Sequence, residues 1–403
     1  MIKDDRGFEF LKQSVPILMG IFLFFNPFPH TTTIKEVSLY LSVIIVFLLI
    51  VFKKIDFSFK TPLSIPFALF VLWSFVGLFF ALNKPNSIHD FYAHLLKYLV
   101  FYYIMVNFFD TRKRLTYLTW IIIISATIFS FGGMAYFYLM LGQNVTKRFV
   151  FIPYLDFLYV FAIILSLRYL FGYVKPYGKA IALICLAGTS MATLLTQTRN
   201  ALLAIFISLV ILLPKNKKGL IILIVSLIVV GFMPIKDRFT LDNILNNERL
   251  GINYVSFEII KDHPIFGIGF GMQTYDNKDF LDKYNARVPV KYRREPPVAA
   301  PHNLLFDVAV RTGLAGLSFF FCIVVSFIRM SWKIIRYGKD DFIKNFGLYL
   351  VVAFIAFFIQ SMFADATFGL QAIVFYTILG MMTILWRLDM ELDNQPDIKS
   401  AYS

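Results

Sequence analysis

Long apolar runs alternate with short polar loops along nearly the whole chain. A helix crossing the hydrocarbon core needs about 20 apolar residues, fewer where it is partly enclosed by protein. Runs of this kind lie at roughly 14–28, 34–52, 63–82, 95–109, 116–141, 153–172, 180–198, 200–213, 219–234, 308–328, 346–364 and 368–386. The pattern predicts an all-α polytopic membrane protein with about 12 transmembrane helices. The first and eighth runs are short, and the seventh and eighth meet at a hinge at Arg199. One long polar interruption, 235–302, breaks the rhythm and closes on Pro301-His302-Asn303, just before the next apolar run. The chain thus divides into helices 1–9 over 1–234, a large loop over 235–302, helices 10–12 over 303–387 and a tail over 388–403.

The long loop has a pattern of its own. Leu250, Tyr254, Phe257 and Ile260 recur at helical spacing and predict a helix over 247–261, with Asp242 or Asn243 as caps upstream. A turn-rich stretch follows from His263 to Gly271, then a polar helix over 276–284, then a basic, proline-rich run over 291–301. The Gly267-Gly269-Gly271 spacing lacks a preceding buried strand and a phosphate-binding lysine, so it reads as a tight re-entrant turn and not as a nucleotide loop.

Composition agrees with a membrane protein: 58% of the 403 residues are hydrophobic and only 16% charged, with a mean hydropathy of +0.70. The first apolar run contains Asn26 and Pro27 and no small-residue cleavage site, so it reads as a span and not as a cleaved leader. Cys185 and Cys322 lie inside apolar runs, which supports neither a disulfide nor a thiolate site. Lys and Arg concentrate in loops on the inner side of a membrane. With the N-terminus inside, the inward segments hold 22 basic residues. The short outward loops hold five: Lys35, Lys84, Lys147, Arg148 and Arg199. Both termini are then cytoplasmic and the long loop faces outward. That loop carries ten basic and nine acidic residues, so the net charge of +14 belongs to the inward segments and their anionic lipid surface. Nucleic-acid binding is not indicated.

Ionisable residues inside or beside spans are expensive to bury and are functional candidates by default. Here they are Lys97, Asp156, Arg199, Asp307, Arg311 and Asp365, with His89 and His94 close by, all near outward ends. A transporter would gather such groups near the midplane; this distribution points to a site at the outer boundary. Arg199 and Arg249 carry the planar fork suited to phosphate. His302 is the best general base, because imidazole titrates near neutrality. No paired cysteines or His-Glu-x-x-His motif faces outward, and Asp276, Asp279 and Asp282 share a helical face with Lys278 and Lys283, so no metal site is expected.

Three segments together resemble the O-antigen ligase and polymerase superfamily of bacterial inner-membrane glycosyltransferases. They are Thr196-Gln197-Thr198-Arg199; Arg249 with Asp262-His263-Pro264 and the glycine run to Gly271; and Pro301-His302-Asn303 followed by Gly313-Leu314-Ala315-Gly316. The resemblance implies a GT-C-like architecture and a periplasmic active site in the inner membrane. It also implies a metal- and cofactor-independent, inverting transfer of a glycan from undecaprenyl diphosphate to a hydroxyl of the lipid A–core, in lipopolysaccharide biosynthesis. By the same resemblance Arg199 and Arg249 bind the donor diphosphate and His302 activates the acceptor. Lys97, Arg311, Asp365 and Asn303 are secondary candidates. Many members have an acidic residue where this chain has Arg311-Thr312, which makes Arg311 a further candidate phosphate contact. Rival readings are an O-antigen polymerase or a protein O-oligosaccharyltransferase. The latter tend to be longer, and this chain stops soon after its last span, which favours a ligase. A polytopic transporter or flippase, with Gly132-Gly133 as a broken-helix point, is the reading from another class.

Overall fold

In hydrocarbon every backbone N–H and C=O must be paired within the protein, so apolar runs fold as helices. The computed structural model describes residues 4–150, 155–172, 175–212, 249–298, 300–364 and 369–394, which hold helices and no strand. Along the bundle come α1 (Asp4–Phe25), α2 (Thr32–Val51), α3 (Ser64–Gly77), α4 (Lys84–Asp90), α5 (Lys97–Phe108), α6 (Arg112–Met134), α7 (Leu155–Phe171), α8 (Pro176–Thr196) and α9 (Arg199–Leu212). The long loop contributes α10 (Arg249–Asp262) and α11 (Lys278–Asn285), and the bundle resumes with α12 (Leu304–Tyr337), α13 (Asp341–Ser361) and α14 (Gly369–Asn394). Eleven of the twelve apolar runs fall on these helices; the run at 219–234 and the caps at Asp242 or Asn243 lie outside the described residues.

Among the described residues, seven helices are long and apolar enough to cross a membrane: those at α1, α2, α6, α8, α12, α13 and α14. The chain is an all-α polytopic membrane protein. The other apolar runs within the described residues form the shorter helices α3, α5, α7 and α9, and α7 shows how a short one is accommodated. Every residue from Leu155 to Tyr169 is buried, as expected for a helix apolar on all sides. Its 17 residues reach only about 26 Å at 1.5 Å per residue, but protein and not lipid surrounds it. By contrast α2 turns Val37, Ile44 and Phe47 outward, each more than half exposed, as a lipid-facing surface requires.

Basic side chains assigned inward by the charge bias meet at one end of the bundle. Arg387 donates to the carbonyl of Ser58 (3.0 Å) and to Asn107 Oδ1 (3.2 Å). Arg112 pairs with Asp340 at 3.0 Å, and the Arg168 guanidinium lies 3.9 Å over the Phe346 ring. The proposed break at Gly132-Gly133 is absent: both glycines lie within continuous α6. Gly133 is small for a packing reason, since a Cβ there would press on Phe149 at 3.2 Å.

The break occurs in α12 instead. Gly313 has φ 72 and ψ −179, which kinks the helix between a short outer segment and the long span below. The glycine loop that follows α10 fills this joint. Leu314 N–H donates to the Pro264 carbonyl (2.8 Å), and Ile268 N–H donates to the Val310 carbonyl (2.8 Å). Trp73 Nε1 of α3 donates to the Thr312 carbonyl at 2.9 Å. Phe266 stacks between Trp73 (4.8 Å) and Phe80 (4.2 Å). Beyond it, Ser87 Oγ and Asn86 Oδ1 accept from the backbone N–H groups of Gly271 and Gln273. The loop helices bury Val255, Ile259, Leu281 and Tyr284 against Ala309 and Val310 of the outer segment. Loop and outer segment therefore form one piece, hinged at the glycine.

Replacing Gly313 by Ala forces a side chain into the left-handed region and drives its Cβ into the Ile265 carbonyl. Backbone strain alone costs about 1–3 kcal/mol, and the collision adds to it. Trp73→Phe, which loses only the indole bond, should cost about 1 kcal/mol. Thermal unfolding in detergent should rank G313A well below W73F.

A pH response follows from the loop's edge. Burial holds the His263 imidazole below its ordinary value of 6.5, and its Nε2 meets the Tyr284 hydroxyl at 3.3 Å. The ordered loop binds this proton less readily than the opened one. Its stability is therefore full above that ordinary value and declines as the pH falls below it. Asp262, held down first by the hydrogen bond from Arg287, stays ionised meanwhile. Amide protection over 265–268 should drop between about pH 7 and about pH 5, and His263→Gln should flatten that dependence.

Candidate functional site

A cavity of about 300 Å³ lies where α7, the α8–α9 junction, α10 and the segment before α12 converge. Its wall includes Asp156 and Tyr159 of α7, Thr196, Thr198 and Asn200 of the junction, and Arg148, Arg249, His302 and Phe363. Residues from opposite ends of the long loop, Arg249 and His302, thus share one chamber with the bundle.

The junction explains how the chain supplies cations here. Helix α8 ends at Thr196, and Gln197 takes the left-handed conformation (φ 50, ψ 32) that turns the chain into α9. A helix C-terminus leaves carbonyls unpaired and attracts cations. Arg148 answers both needs: its Nε donates to the Thr196 carbonyl (2.6 Å) and its Nη2 to Thr198 Oγ1 (3.3 Å). Phe149 N–H adds a bond to the Leu195 carbonyl at 2.8 Å. The start of α9, where the first N–H groups lack intrahelical partners, lies beside the cavity through Thr198 and Asn200. Arg199 stands between those two wall residues, though its own side chain is not part of the wall.

On the other side, the Arg249 guanidinium packs 4.8 Å over the Phe363 ring, which fixes the direction of its fork. His302 has φ 46, a left-handed conformation uncommon for a residue with a side chain and enriched in His, Asn and Asp. The next residue, Asn303, caps α12: its Oδ1 accepts from Leu305 N–H (3.0 Å) and Phe306 N–H (3.2 Å), and its Nδ2 donates to the Met362 carbonyl (3.3 Å). Asn303 therefore positions His302 and ties it to the end of α13.

The other sequence candidates are placed elsewhere. Arg311 is 2% exposed; its Nε donates to the Phe270 carbonyl at 2.8 Å, and it sits 3.7 Å from Asp307. It pins the glycine loop to the outer segment of α12, so a phosphate contact from Arg311 is not what the geometry offers. Lys97 pairs with Glu36 at 2.6 Å in a different cavity, at the α1–α2 end. Asp365 lies outside the described residues, directly after Ala364, which lines the site. Among the described residues no group of three or more His, Cys, Asp or Glu could hold a metal ion.

Sequence reasoning did not single out Arg148, and it noted Asp156 only as an ionisable residue near a span. A usable signal existed for Arg148, one of the five basic residues that depart from the inward bias.

Residues 181–321, from α8 into the upper span of α12 and including Arg199, Arg249 and His302, match the O-antigen ligase family model. The match supports membership of the O-antigen ligase/polymerase superfamily, whose members are glycosyltransferase-like enzymes of lipopolysaccharide biosynthesis. No curated protein matches the chain.

Removing the Arg148 fork should loosen the α8–α9 junction by about 1 kcal/mol. In Arg148→Ala, amide protection over 195–199 should fall, while that of α13 stays as it was.

Proposed function

We propose that this chain is an O-antigen ligase that transfers a glycan from undecaprenyl diphosphate to a hydroxyl of the lipid A–core, at the periplasmic side of the inner membrane. The observation carrying this reading is the single cavity that gathers Arg249 and His302 beside the start of α9. Arg199 is within one residue of the same wall.

The chemistry follows from the groups present. The acceptor oxygen attacks the anomeric carbon, its proton passes to His302, and the carbon–oxygen bond to phosphate breaks with the electron pair leaving on undecaprenyl diphosphate. The departing diphosphate needs cationic stabilisation more than a general acid, and preorganised donors in a partly dry site supply it effectively. Arg249 provides a fork oriented by Phe363. Arg199, with its long side chain, and the start of α9 would receive the second phosphate. A single direct displacement inverts the anomeric configuration. No step calls for a metal ion.

The carrier's lipid also has a place to lie. An apolar groove of about 940 Å³ runs between α12 and α13, from Leu305 and Met362 at its outer end to Trp332 and Arg336 at its inner end. Leu305 and Met362 are close in sequence to His302 and Phe363 of the site, so a polyprenyl chain in the groove would deliver its diphosphate toward the cavity.

Purified protein supplied with undecaprenyl-diphosphate-linked glycan and lipid A–core, in the presence of a chelator, should produce glycosylated lipid A–core. Lengthening of the glycan on its carrier instead would make the chain a polymerase. Arg249→Ala should lower kcat/KM by about 10²–10³-fold, as loss of a charge-stabilising donor does. His302→Ala should lower kcat by about 10²–10⁴-fold. Full turnover by His302→Ala would remove the imidazole as base.

A further inference from the structure

One buried group at this cavity has no task in the transfer as written. Asp156, on the first turn of α7, is 7% exposed and lines the wall. Among the described residues its carboxylate has no ion pair and no hydrogen bond beyond its own backbone N–H, and the basic group acting on it is Arg148. The Arg148 fork is itself engaged on Thr196 and Thr198. Buried carboxylates are normally hydrogen-bonded. On the cavity wall, the Asp156 carboxylate is placed to accept a further hydrogen bond from whatever fills the cavity.

The chemistry of that partner is constrained. An ionised carboxylate only accepts hydrogen bonds, so the partner must donate. A diphosphate is excluded, because two anions in a poorly screened site repel. A cationic ligand would have to enter beside Arg148 and Arg249. What remains is a neutral molecule rich in O–H or N–H groups: a sugar, or an acetamido sugar. We infer that Asp156 binds a hydroxyl or acetamido N–H of the donor's first sugar, the one attached to the diphosphate. That sugar lies one bond from the phosphates held by the cations, while His302 serves the acceptor. Tyr159, one turn further along α7, is fully buried and backs the same wall. Asp156 is then a specificity residue for the donor, and this assignment rests on the donor reading proposed above.

Equilibrium binding to the full-length protein in detergent, without acceptor, tests this apart from catalysis. The probes are undecaprenyl diphosphate and the same carrier bearing N-acetylglucosamine or galactose. The wild-type protein should bind at least one glycosylated carrier about tenfold more tightly than the bare one, the worth of one hydrogen bond to a charged group. Asp156→Asn should lose that increment and keep its affinity for bare undecaprenyl diphosphate, which also reports that the variant is folded. Arg249→Ala should do the reverse, weakening all three. The inference is overturned if the wild type shows no increment for either sugar, if Asp156→Asn retains it, or if Asp156→Asn weakens the bare carrier equally. A wild-type protein that binds no undecaprenyl diphosphate would overturn the donor assignment itself, and this inference with it.

Discussion

A helix that breaks near the hydrocarbon core exposes N–H and C=O groups that have no water to turn to, so the break survives only where protein supplies their partners. In α12 the break is at Gly313, and Trp73, Pro264 and Ile268 supply those partners. The arrangement ties three distant parts of the chain together: α3, the glycine loop and α12. Buried Arg311 reinforces it by gripping the Phe270 carbonyl from the outer segment. Because α10 and α11 pack on that same segment, the direction taken at the kink sets where both Arg249 and His302 are carried. The placement of Arg249 relative to His302 is thus held by backbone pairing and apolar packing at a distance from the cavity itself.

The cavity combines residues held in unusual ways. Gln197 and His302 both adopt left-handed backbone conformations despite carrying side chains. Such strain persists only where the surroundings enforce it, and it gathers at functional sites. Here the enforcers are identifiable. Arg148 and Phe149 fasten the α8–α9 junction from one side, and the Asn303 cap with its bond to Met362 fastens the other. Between them, cations and one carboxylate occupy a chamber too small to be screened like bulk water.

The distribution of positive charge serves two purposes in this chain. Residues that the charge bias assigns to the inner side, such as Arg387 and Arg112, clasp helix ends together, and the same bias would set them against an anionic lipid surface. The few basic residues that depart from that bias each need a separate reason to be where they are. Arg148 has one at the cavity, and Arg199 adjoins it.

The helical membrane architecture was legible in the sequence because hydrocarbon imposes one rule on every segment, and a run of apolar residues such as Leu155–Phe171 obeys it without reference to its neighbours. The loop helix near 249–262 and the tight glycine turn were legible for a similar local reason: side-chain periodicity and glycine are local signals. His302 and Arg249 stood out as residue types whose chemistry is costly to misplace. Their meeting could not be read, because it depends on how α10 and α12 pack. Arg311 shows the same limit from the other side. In sequence it is a cation near a span, and only the fold turns it inward onto the Phe270 carbonyl, where desolvation and pairing make it structural. Gly132-Gly133 and Gly313 are equally glycines in sequence; the first pair lies inside continuous α6, while the backbone at Gly313 meets the distant loop at Pro264–Ile268, which completes the hydrogen bonds around it. Sequence alone therefore determined the helical character of the described segments. Which charges face one another was decided by tertiary packing, since hydrogen-bond partners and burial are properties of residue pairs distant along the chain.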